Sequence, residues 1–135
     1  SRDNPEQIEF RKQTIEKRSM DAALVPIDIM RKAYEGICIH DRMSEIGSAI
    51  RERGDESFPL SVVISFCNIT YAKEMMLINE QLINDMPCIM TVRETNDGVV
   101  IGTRLMDEKV ANKKQAEFAA KINGNLIKIM EATIL

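Results

Sequence analysis

Three kinds of side chain in this sequence could do chemistry: the cysteines Cys38, Cys67 and Cys88, the lone histidine His40, and the arginines Arg93 and Arg104. Cys67 has the best claim to reactivity, because it falls between a β-rich run and the start of a helical one. Backbone N–H groups and the dipole at a helix start stabilise a thiolate there. A half-buried, inert thiol at a strand terminus is the plainer alternative. Cys88 follows Pro87 and reads as a core thiol. Cys38-x-His40 with Cys67 would supply three soft ligands for zinc or haem, a weak set without a Cys-x-x-Cys. Arg93 and Arg104 stand on consecutive predicted strands and could together hold an anion. A Ser-His-Asp catalyst would have to use His40, and no serine sits in a nucleophile elbow. Phosphate-loop and dinucleotide glycine patterns are missing as well. No cofactor is expected, and whether the chain is an enzyme stays open.

Composition narrows the classes. The 135 residues suit one domain, expected to span 1–135, with no internal repeat or linker. A chain of this size buries roughly 68% of its unfolded surface, so it folds without a disulfide or structural metal. Net charge is -3 and only six residues are aromatic, two Tyr and four Phe. That balance argues against nucleic acid and anionic membranes as partners, since both require a basic surface. No apolar run approaches the roughly 20 residues of a membrane span, and no signal-peptide core is visible. Three unpaired-looking cysteines fit a reducing compartment, so a cytoplasmic location is expected. The chain opens at Ser1 rather than Met, which reads as a trimmed or engineered start and is compatible with a removed leader.

The elements that must position these residues follow from periodicity. Ile8 to Ile15 alternates loosely, with charged outward positions that suit an edge strand. Ser19 can cap a helix running to Tyr34, with Pro26 inside it as a kink or a fresh start. After Gly36, Ile37 to His40 is a short strand candidate, and Met43, Ile46 and Ile50 mark a short helix. Ser61 to Cys67 is the clearest strand. Asn68 or Thr70 caps a helix with Tyr71, Met75, Ile78 and Leu82 on its apolar face, ended by Asn84 to Pro87. Cys88 to Glu94 and Val99 to Leu105 form a hairpin across Asn96-Asp97-Gly98. From about Asn112 the chain is helical, either continuous or broken at Gly124. The order β-α-β-α-β-α-β-β-α predicts an α+β fold: a single, mainly antiparallel sheet with helices packed on one face.

Alternation divides the strands between two faces. Val62, Ile64, Phe66, Cys88, Met90, Val92, Val99, Ile101 and Leu105 fall on the helix-covered face. The other face gathers Cys38, His40, Ser65, Cys67, Thr91, Arg93 and Arg104, mixed with Val63, Ile89 and Val100. Placing Cys67 and Cys88 on opposite faces argues against a disulfide between them. The second face is too apolar for plain solvent and too polar for a core. It reads as a homodimer interface, or a face half covered by loops. The sharper reading is a groove for a small-molecule anion, with Arg93, Arg104, Thr91, Ser65 and His40 as ligand-binding candidates.

Cys67-Asn68-Ile69-Thr70-Tyr71-Ala72, Met86-Pro87-Cys88 with its alternating strand, and Gly98-Val99-Val100-Ile101 resemble domain-of-unknown-function family 302. Asn68, Ala72, Pro87, Cys88 and Gly98 fill that family's pattern of Asn-Pro, Ala, a Leu-rich helix, Leu-Pro-Cys and a Gly turn. Ile69 stands where the pattern has Pro, Met86 where it has Leu, and Ile89 where it often has Arg. The resemblance implies a dimeric cytoplasmic α+β domain without an established reaction, and it adds Asn68 and Cys88 as site candidates. The combined expectation is a homodimer that binds a small ligand or a protein partner. The alternative is a thiol-dependent redox or sulfur-handling enzyme using Cys67 or Cys88.

Overall fold

The β-branched runs of the sequence pair as an antiparallel sheet. The computed structural model describes residues 7–11, 20–35 and 42–133. Among the described residues five strands, β1 (Gln7–Arg11), β2 (Arg42–Glu45), β3 (Ser61–Phe66), β4 (Cys88–Thr95) and β5 (Gly98–Arg104), lie in the order β1-β5-β4-β3-β2. Every neighbouring pair is antiparallel. Helices α1 (Met20–Glu35), α2 (Ile46–Glu52), α3 (Ile69–Ile78) and α4 (Lys113–Ala132) complete the chain order β-α-β-α-β-α-β-β-α. The fold is α+β, and the sheet carries its helical layer on one face.

Burial alternates along β3, with Val62, Ile64 and Phe66 inward. Register sets Val62 against Val92 and Ile64 against Met90, and Val92 in turn against Ile101. Met20, Ala23 and Ile27 of α1 and Phe118, Ile122, Leu126 and Ile129 of α4 close over this face. Each of the larger of these side chains contributes roughly 1.5–3 kcal/mol by leaving water, and Ala23 less. The hairpin turn is tight: Thr95 faces Gly98 in register, Gly98 takes φ 124°, and Thr95 Oγ1 donates to Gly98 O at 2.8 Å. A side chain at Gly98 would be strained by that backbone angle.

Helix α1 runs unbroken through Pro26, and α4 runs unbroken through Gly124. Three details depart from the sequence reading. The strand next to β3 is Arg42–Glu45, so Met43 is extended rather than helical, and α2 starts only at Ile46. The helix after Asn68 ends at Ile78; Leu82 is buried from a separate 3-10 helix, Glu80–Asp85, capped by Asn79. Strand β3 stops at Phe66, one residue before Cys67. The predicted strand Ile37 to His40 lies outside the described residues, as do Ser19 and the stretch from Lys12 to Ile15.

Candidate functional site

The face of the sheet away from α1 and α4 carries Ser61, Val63 and Ser65 of β3, Ile89, Thr91 and Arg93 of β4, and Val100, Gly102 and Arg104 of β5. Ser61, Val63, Ser65, Ile89, Thr91, Arg93 and Arg104 are half-buried, while Val100 and Gly102 are buried. A groove of about 330 Å³ crosses this face, lined by Ser61, Val63, Ile89, Thr91, Arg93 and Gly102, with Ile46 of α2 at one end. Thr91 faces Gly102 across the β4–β5 ladder and Val63 across the β3–β4 ladder, so it stands at the middle of the groove. With no side chain at Gly102, the backbone itself forms part of the floor. The groove thus joins an apolar wall to two hydroxyls and one guanidinium.

Two anchors fix its rim. Glu94 Oε1 accepts from Leu60 N at 2.8 Å, and Glu94 N donates back to Leu60 O at 2.9 Å, which ties the segment before Ser61 to β4. Arg51 of α2 reaches the same carboxylate at 3.7 Å and donates through Nε to Phe58 O. Gly47 makes the second contact, since a Cβ there would stand 2.5 Å from Pro59 O and 2.6 Å from Ser61 N. Neither Glu94 nor Gly47 was signalled by the sequence, because a carboxylate that bonds a backbone amide and a glycine that admits a neighbouring strand leave no periodic trace.

Arg104 does different work from Arg93. Its Nη2 donates to Asp85 O at 3.2 Å and Pro87 O at 3.1 Å, holding the segment that enters β4, and it does not line the groove. Ser65 also lies on this face outside the groove lining. Of the predicted ligand-binding residues, Thr91 and Arg93 are therefore brought together in the groove. Asn68 is the N-cap of α3, its Oδ1 accepting from Tyr71 N at 3.0 Å. His40 and Cys38 lie outside the described residues.

The cysteines require a correction. Cys67 does not continue the alternation of β3, since the strand ends at Phe66 and the chain turns into α3. Cys67 and Cys88 instead line one small cavity of about 30 Å³ with Asn68, Tyr71, Met75, Met106 and Phe118. Both are half-buried, and neither is in a disulfide. Among the described residues no group of three His, Cys, Asp or Glu side chains gathers to hold a metal ion. A third recess, about 570 Å³, separates α3 from α4. Its charges are of both signs, and Lys121 Nζ already pairs with Glu74 at 2.9 Å, so it presents no net attraction for an ion.

The family model for the domain of unknown function DUF302 matches residues 39–133, most of the chain. The chain belongs to the DUF302 family. This DUF302 chain is also similar in fold to the crystal structure of an uncharacterized conserved DUF302 protein from Bacillus stearothermophilus. The TM-score is 0.76 at 17% identity, covering 94% of this chain and 97% of that one. At that identity the likeness shows the fold alone. No curated protein matches the chain. Among the described residues of the DUF302 chain, no helix is long and apolar enough to cross a membrane.

Proposed function

We propose that this DUF302 domain binds a small ligand, one anionic group on a short apolar body, in the groove of the open sheet face. The observation that carries the reading is the convergence of Thr91 and Arg93 with Val63 and Ile89 around one concave volume of about 330 Å³. That size is at the low end of the roughly 300–1,000 Å³ found for small-molecule sites, so the ligand is small. Arg93 supplies the charge-assisted hydrogen bonds that fix a carboxylate or phosphate. Thr91 offers a hydroxyl, and the apolar wall takes the body of the ligand.

Calorimetric titration with octanoate, octylamine and inorganic phosphate tests the reading. Octanoate is expected to bind, octylamine not, and Arg93→Met to weaken octanoate by at least about tenfold, the loss of one charge-assisted bond. A second copy of the chain is the competing occupant of this face. Sedimentation velocity then finds a dimer that Arg93→Glu dissociates, and octanoate does not bind while the dimer persists; that result replaces the ligand reading. A monomer indifferent to all three probes ends both.

A further inference from the structure

We infer that Cys67 and Cys88 form a dithiol modification site, closed to an intramolecular disulfide by exchange with a low-molecular-weight disulfide such as oxidised glutathione. The register places Phe66 directly opposite Cys88, and Cys67 is the next residue along the chain. Opposed antiparallel residues are about 4.5–5.5 Å apart at Cα and successive residues 3.8 Å, which combine to about 6–7 Å, reaching the upper part of the range that a disulfide spans. Alternation would normally turn the two side chains apart. Here the strand has ended at Phe66, and both residues line the same cavity.

The surroundings favour the closed form. Tyr71, Met75, Met106 and Phe118 make the cavity wall largely apolar, and a neutral disulfide is far easier to bury than a thiolate. Both cysteines remain half-buried rather than sealed, so a small oxidant can reach them. Cys67, beside the N-terminus of α3, is the attacking thiol. Its thiolate attacks one sulfur of oxidised glutathione, the S–S bond of the oxidant breaks, and a mixed disulfide forms on Cys67. The departing glutathione thiolate takes the proton that Cys67 gave up. Cys88 then attacks the Cys67 sulfur, closing the protein disulfide and releasing the second glutathione, which takes the proton from Cys88. Two cysteine thiols lose two electrons in all, and one oxidised glutathione becomes two thiols.

The native protein, exposed to oxidised glutathione at neutral pH, is read by intact mass and peptide mapping. The expected product has lost two hydrogens, carries no glutathione, and yields a peptide linking Cys67 to Cys88 that dithiothreitol reverses. Cys88→Ser should stall with one glutathione on Cys67, and Cys67→Ser should consume the oxidant at least about tenfold more slowly. A linkage through Cys38, lasting glutathione adducts on wild type, or reaction only after denaturation would each overturn the inference. Mapping of the wild-type chain decides the matter even if a variant fails to fold.

Discussion

Replacing Asn123 by Ala should remove much of the stability of the domain, although the residue touches neither groove nor cavity. Asn123 is 2% exposed inside α4. Its Oδ1 accepts from Met106 N at 2.8 Å, and its Nδ2 donates to Met106 O at 2.9 Å and Glu108 Oε2 at 2.7 Å. The side chain thus satisfies both backbone groups of a buried residue in the segment that follows β5. Glu108 is exposed and regains water when its partner goes, so that bond counts for little. Met106 is buried, and an unsatisfied buried N–H or C=O costs about 1–3 kcal/mol each. The sum is about 2–6 kcal/mol, a large share of the roughly 5–15 kcal/mol that holds a domain together. Urea unfolding followed by circular dichroism gives the value, with an unchanged slope showing that stability alone has altered. Exposed Lys113→Ala on the same helix is the control, expected within about 0.5 kcal/mol of wild type. A loss below about 1 kcal/mol for Asn123→Ala would refute the assignment of this side chain as the clamp on Met106.

Gly124→Ala should stabilise the protein by about 1 kcal/mol, because α4 is continuous there and an added Cβ meets nothing within 4 Å; thermal unfolding should shift up by roughly 3–5 °C. Gly47→Ala should do the reverse, destabilising by about 1–3 kcal/mol as its Cβ runs into the backbone at Pro59 and Ser61; denaturant midpoints check the sign. Arg104→Met should free the segment from Asp85 to Pro87, seen as faster amide hydrogen exchange at Cys88 and Ile89, with a stability loss of about 1–2 kcal/mol for a half-buried charged donor.

The parts of the fold that were legible in the sequence are those where burial and period coincide. β3 to β5 announce themselves because they are rich in β-branched residues and because Val62, Ile64, Phe66, Met90, Val92 and Ile101 recur at every second position and share one buried face. Asn68 and Asn112 were readable as helix starts because their side chains cap Tyr71 N and Gln115 N. β2 was hidden by its position at the sheet edge. Met43 is exposed there, so its spacing to Ile46 and Ile50 imitates a helical stripe without reporting one. Thr91, Arg93 and Arg104 could all be assigned to a common face from alternation alone, but alternation does not report that Arg104 donates to the backbone carbonyls of Asp85 and Pro87 and so stays out of the groove. Cys67 was misassigned because alternation holds only while a strand lasts, and the cap at Asn68 ends it one residue earlier.

The open-face groove is tested most directly by following backbone amide resonances of the isotope-labelled protein during titration with octanoate. Binding there predicts saturable shifts centred on Thr91, Arg93 and Gly102, with Ser61 and Val63 at the margin, and their disappearance in Arg93→Met. Shifts gathered instead around Lys114 and Lys121 between α3 and α4, or no saturable shift at all, would contradict it.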